Sequence, residues 1–216
     1  MSFLPEKFMV TTPHPDDCEI GVGGTVSKWI KGGAQGILVV CTNGDKGSSD
    51  PDMTSERLAS IRRAEQIEAA KVLGMQEVVF LQYPDGELED NREFRRDLVR
   101  EIRKHKPDVV LTPDPFRKTW YNHRDHRVTG QVTMDAVFPY ARDHLSFPEH
   151  KGIGLEPHKV GWLYFWHSEE PDHHLDVTET IEIKIQALAQ HVSQVGGETG
   201  RDIDTFIREM GKRAGE

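Results

Sequence analysis

Short apolar segments alternate with longer amphipathic segments along most of the chain. The apolar segments have the length of buried strands, and the amphipathic segments carry apolar residues at helical spacing. Such alternation is typical of a parallel sheet with helices on both faces. The predicted strands are 8–12, 36–42, 78–81, 109–112 and 161–166, and the predicted helices are 25–31, 54–74, 93–104, 125–138 and 181–192. The sequence therefore predicts one domain over residues 1–216, a Rossmann-like three-layer α/β/α fold with a mostly parallel central sheet. The polar tail after Gly196 is expected to be mobile.

Composition narrows the class of protein and its partners. With 216 residues the chain can bury a full core. Its 36 acidic and 27 basic residues give a net charge of -9, which argues against nucleic acid or an anionic membrane as the main partner and leaves a small molecule. The N-terminal segment lacks the pattern of a signal peptide, and no apolar run approaches the ~20 residues that span a bilayer. We expect a cytoplasmic protein in which Cys18 and Cys41 are buried and reduced.

Two polar clusters follow predicted strands. His14, Asp16 and Asp17 come directly after the first strand, and the segment 122–126 with the sequence NHRDH follows the fourth. Ligands of open parallel sheets bind at the carboxyl ends of the strands, where both clusters would lie. A catalytic zinc needs three protein ligands and an open position, and His14, Asp17 and His126 would supply that set. Histidines and aspartates in loops are also commonly solvated, and either aspartate could cap the next helix, so the residues alone leave both interpretations open.

The remaining members of the clusters suggest a division of roles. Asp16, held off the metal, would take a proton from the attacking water. His123, as an imidazolium, would stabilise the oxyanion on the far side of a bound carbonyl. Asp125 would orient His123, and Glu19 is expected to hydrogen-bond backbone near the first cluster.

The two clusters resemble the motifs of the PIG-L/LmbE family of zinc-dependent N-acetylglucosamine deacetylases. The segment 14–25, HPDDCEIGVGGT, is similar to the family's first motif, in the form found in bacillithiol-pathway deacetylases, and NHRDH resembles its second motif, usually HPDH. The resemblance implies zinc on His14, Asp17 and His126, one ion per subunit, with Asp16 as general base and His123 with Asp125 stabilising the intermediate. It also implies an N-acetylated sugar substrate and a homo-oligomer, a trimer or hexamer. A site of two histidines and one aspartate can also accept Fe(II) or another divalent ion.

Weaker similarities extend over the rest of the chain. The segment around Arg62 resembles the family's long helix, whose arginine reaches the substrate, and Asp85 lies in a turn like the one after the family's third strand. The segment 184–194 resembles the C-terminal helix motif, which implies that His191 contributes to an active site, its own or a neighbouring subunit's. We expect Arg62, Asp85 and His191 to contact the substrate.

The second motif departs from the family pattern on the side where the substrate would bind. Arg124 stands where proline is usual, and Asn122 where several relatives have arginine. Neither position is a metal ligand, so the departures bear on substrate recognition. We expect Asn122 and Tyr121 to contact the substrate. Trp120 and Tyr121 could form a floor for a sugar ring, although loop aromatics more often simply pack.

Three other features have competing interpretations. The glycines at 21, 23 and 24 suggest a dinucleotide site, but Val26 occupies the last glycine position of that fingerprint, so a tight loop turn beneath the metal is favoured. Arg62 could instead pair with acidic residues of its own helix. The histidines His167, His173 and His174 could form a second metal site, but their spacing and loop setting favour a solvated region. Hydrolysis of a non-sugar amide, and a non-catalytic binding protein, remain alternative functions.

Overall fold

A five-stranded, all-parallel sheet forms the centre of the molecule in the computed structural model, which describes residues 3–196 and 202–215. The strands are β1 (Lys7–Thr12), β2 (Gln35–Thr42), β3 (Glu77–Tyr83), β4 (Val109–Pro113) and β5 (Trp162–Trp166). Their order across the sheet is β3-β2-β1-β4-β5. All four pairings are parallel, as the alternation of strands and helices predicts.

Helices cover both faces of the sheet. They are α1 (Asp17–Lys31), α2 (Ser55–Leu73), α3 (Arg92–His105), α4 (Arg124–Asp135), α5 (Ile181–Leu188), α6 (Val192–Val195) and α7 (Ile203–Ala214). None of the helices in the described ranges is long and apolar enough to cross a membrane. Side chains alternate along each strand, so β1 sends Phe8 and Val10 into the core beneath α1, α2 and α5, and Met9 into the core beneath α3 and α4. The three-layer α/β/α fold is therefore confirmed, and both cysteines are buried and free.

The strand order places the candidate residues together. The chain passes from β1 to β2 on one side, whereas β4 pairs with β1 on the other side. The loops that follow β1 and β4 therefore diverge from adjacent strands and leave a crevice between them, which is where ligands bind in such sheets. His14 lies in the first loop, and His123 ends the second at the start of α4.

The prediction for the first helix was wrong at its start. We expected a loop up to Thr25, but α1 begins at Asp17 and contains the three glycines. The glycines serve close packing rather than a turn, because a Cβ atom at Gly21 would lie 2.0 Å from the Trp166 ring and one at Gly24 would lie 2.8 Å from Val177.

The C-terminal region also differs from its prediction. The expected helix 181–192 ends at Leu188, and a corner that includes His191 separates α5 from α6. The tail expected to be mobile contains α7, which packs on α5 and buries Ile207. Residues 197–201 of that tail lie outside the described residues.

Candidate active site

The three predicted metal ligands meet at the carboxyl edge of the sheet. Asp17 lies between the two histidines, with one carboxylate oxygen 3.0 Å from His14 Nδ1 and the other 3.2 Å from His126 Nε2. One ligand atom from each residue lies within 4.8 Å of the others. Burial disfavours the charged form of Asp17, but the His126 and His14 rings outweigh it and hold the pKa of this carboxyl well below its usual value. Two imidazoles and one carboxylate are a donor set that zinc prefers in catalytic sites.

The second ring nitrogen of His14 faces two further carboxylates. His14 Nε2 lies 3.2 Å from Asp125 Oδ2 and 3.1 Å from Asp85 Oδ1. Asp125 is fully buried and also accepts backbone N–H groups from Gly86 and Leu88. These carboxylates favour a proton on Nε2, which leaves Nδ1, on the Asp17 side, as the metal-binding atom. A carboxylate behind a metal-binding histidine is the usual support of such ligands, so the residues fit a divalent ion.

A second group of possible ligands shares the same histidine. His14, Asp85 and His123 also have ligand atoms within 4.8 Å of one another. A metal there would have to displace the Nε2 proton that Asp125 and Asp85 favour. His123 is also exposed, whereas His126 and Asp17 are largely buried. The group with Asp17 and His126 is therefore the better metal site.

Asp16 is placed beside the metal ligands by a strained backbone. Its φ of 104° and ψ of -29° put a non-glycine residue in the left-handed region, a conformation that costs on the order of 1–3 kcal/mol and persists only where the surroundings enforce it. Arg62 donates to the Pro15 carbonyl at 2.6 Å and to Asp16 Oδ2 at 3.2 Å. Burial and the charge of Asp17 raise the pKa of Asp16 to about 7, against the opposing charge of Arg62. A carboxyl with a pKa near neutrality suits a general base.

Arg62 connects α2 to three loops around Asp16. Besides its bonds to Pro15 and Asp16, it donates to the Gly44 carbonyl at 3.2 Å and lies 3.9 Å from Asp85 Oδ2. Its side chain is buried and pairs with no acidic residue of its own helix in the described part of the chain. The salt-bridge alternative for Arg62 is therefore wrong, and its contacts place it at the site.

His123 lies over the ring of His14, with ring centroids 4.8 Å apart. Its Nδ1 accepts the backbone N–H of Asp125 at 3.1 Å, which leaves the ring proton on Nε2. Partial burial of the ring and the charge of His14 lower the pKa of His123, so the imidazolium that we expected is disfavoured. A neutral ring still donates from Nε2. The expected orienting contact also differs, because the Asp125 carboxylate lies against His14 and only the backbone of Asp125 reaches His123.

The residues that flank His123 in the sequence differ in burial. Asn122 is buried, and neither side-chain amide atom has a hydrogen-bond partner within the described ranges. Trp120 and Tyr121 are 90% and 79% exposed and contact each other edge to face, so they are not part of the core. Arg124 donates to the Leu88 carbonyl. Asn122 and Tyr121 thus stay predictions as substrate contacts.

His191 lies behind the site. Its side chain has no exposed surface, and Nε2 lies 3.4 Å from Glu19 Oε2. A substrate could reach this ring only if the residues around it moved, so the structure does not bring His191 to the substrate as we expected. Glu19 also differs from its prediction, since its partners are the side chains of His191 and Gln66 rather than backbone. Gln66 was missed, although it lies one helical turn after Arg62 on the same face of α2.

The additional histidine group does not form a metal site in the part of the chain that the structure describes. His167 stacks on Trp166, and burial lowers its pKa to about 4. His173 stacks on Tyr164, and His174 contacts the Ala214 carbonyl. His173 and His174 are exposed, as expected for a solvated region.

Comparisons with known proteins agree with this geometry. The family model described as GlcNAc-PI de-N-acetylase (PIG-L) matches residues 9–137. The chain is 31% identical to the diacetylchitobiose deacetylase of Thermococcus kodakarensis, over 95% of this chain and 76% of that protein. It is 27% identical to the mycothiol S-conjugate amidase of Streptomyces coelicolor, over 90% and 84% of the two chains. An N,N'-diacetylchitobiose deacetylase structure from Pyrococcus horikoshii has a TM-score of 0.91 at 34% identity and covers 98% of this chain and 79% of that one. The chain therefore belongs to the PIG-L family of de-N-acetylases and is a hydrolase of amide bonds.

Proposed function

We propose that this protein removes the N-acetyl group from an N-acetylglucosamine-type sugar or sugar conjugate, with zinc as its metal. The observation that carries the proposal is the meeting of a three-residue metal donor set, a carboxyl suited to act as a base and a neutral imidazole donor at one edge of the sheet. Similarity to deacetylases of diacetylchitobiose over nearly the whole chain supports the choice of substrate class.

His14, Asp17 and His126 would hold the ion. A bound divalent ion lowers the pKa of a water ligand and polarises a carbonyl oxygen. Asp16 accepts a proton from the attacking water and returns it to the leaving amine, for which a pKa near neutrality is suited. The Nε2–H group of His123 donates a hydrogen bond to the oxyanion of the tetrahedral intermediate and keeps its proton. Arg62 fixes the base, because its guanidinium contacts both the Asp16 carboxylate and the carbonyl before it.

Metal analysis and a screen for released amine test the proposal. The purified protein, with zinc and with a chelator, is incubated with N-acetylglucosamine, N,N'-diacetylchitobiose and N-acetyl amino acids, and fluorescamine detects the free amine. We expect bound zinc and turnover of the sugars. A protein that binds no metal and turns over none of these compounds would refute the proposal and favour a binding role.

Two variants separate the assigned roles. Asp16→Asn should keep zinc and lose kcat by about 10²–10⁴-fold, whereas His14→Ala should lose the metal itself. Asp52 is an exposed aspartate of the loop after β2, so Asp52→Asn is the matched control and should have the zinc content and kcat of the parent protein. Unchanged turnover by Asp16→Asn would show that Asp16 is not the base.

A second candidate is hydrolysis of a different amide. The mycothiol S-conjugate amidase among the relatives favours it, since that name describes amide hydrolysis in a conjugate rather than removal of an acetyl group from a simple sugar. Turnover confined to the non-sugar amides of the screen would support this candidate.

A further inference from the structure

A buried group of polar side chains from α1, α2 and the corner between α5 and α6 lies against the backbone of Asp16. The Asp16 N–H donates to Gln66 Oε1 at 3.0 Å, and Gln66 Nε2 donates to Glu19 Oε1 at 2.8 Å. The other oxygen of Glu19 faces His191 Nε2 at 3.4 Å. Gln66, Glu19 and His191 each have a relative exposure of 0%. Because water has no access to these groups, Gln66 depends on Glu19 Oε1 and the Asp16 N–H for its hydrogen bonds. The contact between Glu19 Oε2 and His191 lacks the geometry of a hydrogen bond.

The contacts of Gln66 fix which way its amide points. A carboxylate oxygen accepts hydrogen bonds and donates none, so Glu19 Oε1 selects the orientation in which the amide nitrogen faces Glu19 and the oxygen faces Asp16. In the opposite orientation the amide nitrogen would face the Asp16 N–H, and both groups would lose an acceptor. Glu19 therefore ensures that an acceptor stands opposite the Asp16 backbone.

That acceptor lies where the backbone is strained. Asp16 is a non-glycine residue at φ 104°, and its side chain makes no capping bond to α1. Gln66 binds the N–H on one side of this residue, and Arg62 binds the Pro15 carbonyl and the Asp16 carboxylate. Both residues project from the same face of α2, so one helix holds the strained residue from two directions.

We infer that Glu19 and Gln66 are positioning residues, which act through the backbone of Asp16 to hold its carboxylate in place for catalysis. The inference rests on the proposed function, in which Asp16 is the base. A displacement of the order of 1 Å in a catalytic group can cost ~10²-fold in rate. Removal of the Gln66 acceptor should therefore lower kcat while His14, Asp17 and His126, which are not its hydrogen-bond partners in the described ranges, keep their ion.

The test compares Gln66→Met with the parent protein. Methionine keeps the shape and length of glutamine but cannot accept the Asp16 N–H. We expect kcat to fall by ~10–100-fold, with little change in KM and with unchanged zinc content. Gln76→Met, at an exposed position after α2, is the matched control. Glu19→Gln, which keeps an oxygen that can accept from Gln66, should lose less activity than Glu19→Met, and it provides a readout if Gln66→Met does not fold.

A double-mutant cycle shows whether Gln66 acts through Asp16. In an Asp16→Asn background, Gln66→Met should lower the residual kcat no further, because the base is already absent. An equal loss in both backgrounds, or a Gln66→Met enzyme within twofold of the parent kcat, would overturn the inference. Full activity of Asp16→Asn alone would instead refute the role of Asp16 as the base, and absence of metal and turnover in the parent protein would refute the proposed function, so these failures are distinct.

Discussion

Asp125→Asn tests whether the buried carboxylate behind His14 supports the metal. The substitution keeps the size of the side chain but removes its charge and one of its two acceptor oxygens. Asp125 Oδ2 faces His14 Nε2 at 3.2 Å and accepts from Gly86 at 2.7 Å, whereas Oδ1 accepts the longer bond from Leu88 at 3.3 Å. Asparagine should therefore keep its oxygen toward His14 and Gly86 and lose the bond to Leu88.

The magnitude follows from these contacts. Loss of one buried hydrogen bond costs about 1 kcal/mol in the free energy of unfolding. Loss of the charge makes His14 a weaker ligand, and removal of such supporting groups typically lowers metal affinity by about 10–100-fold, or about 1.4–2.7 kcal/mol. We expect Asp125→Asn to fold, to bind zinc about 10–100-fold more weakly than the parent protein, and to regain activity as the concentration of free zinc is raised.

Competition with a chromophoric chelator at neutral pH measures the zinc Kd of each protein. Asp114→Asn is the control, since Asp114 is also buried after β4 and accepts a backbone N–H, from Phe116, without facing a histidine. Circular dichroism checks that both variants are folded. A zinc Kd for Asp125→Asn that equals that of Asp114→Asn would refute the assigned role of the carboxylate.

Two further predictions concern stability. Arg103 is buried and donates to five backbone carbonyls between residues 140 and 147, so Arg103→Leu should lower the free energy of unfolding by about 3 kcal/mol or more. Urea denaturation measures this loss. A loss no larger than that caused by Arg100→Leu, at a half-exposed arginine of the same helix, would contradict the prediction. Burial lowers the pKa of Lys184 from 10.5 to about 8, so the unfolded chain binds more protons between these pH values and stability should rise with pH across that window. Relative to Lys184→Met, the free energy of unfolding of the parent protein should rise by up to about 3 kcal/mol between pH 8 and pH 10.5. If the difference in free energy of unfolding between the two proteins is the same at both pH values, Lys184 keeps its ordinary pKa.

Much of the fold, and the meeting of the three predicted metal ligands, could be predicted because the signals are local. Strands of a parallel sheet are buried on both faces, so they read as continuous apolar runs such as residues 37–41. Their carboxyl ends lie at one edge, which brings His14 and His126 together although 111 residues separate them in the sequence. The family motifs indicated the same residues.

The errors arose where a distant contact decides the local structure. Gly21 favours a loop by its own preference, yet it lies in α1, where the Trp166 ring occupies the space of a Cβ atom and so requires glycine. The corner at His191 ends α5 early and turns the imidazole toward Glu19. Gln66 carries no motif of its own, and its importance is visible only from its contact with the Asp16 backbone.

Asp16 shows why this site needs support from the rest of the fold. It combines a left-handed backbone with a carboxyl whose pKa is raised to about 7, mainly by burial and by the charge of Asp17. Both features oppose folding, and both suit the role we propose for Asp16, a base that stands beside a metal ligand without binding the metal itself. Arg62 and Gln66 supply hydrogen bonds that offset the strain from one face of α2. The local backbone preference of Asp16 differs from the conformation that the fold imposes on it, as is common at functional sites. The two hydrogen bonds from α2 hold the residue in the disfavoured conformation, in which it could act as the base.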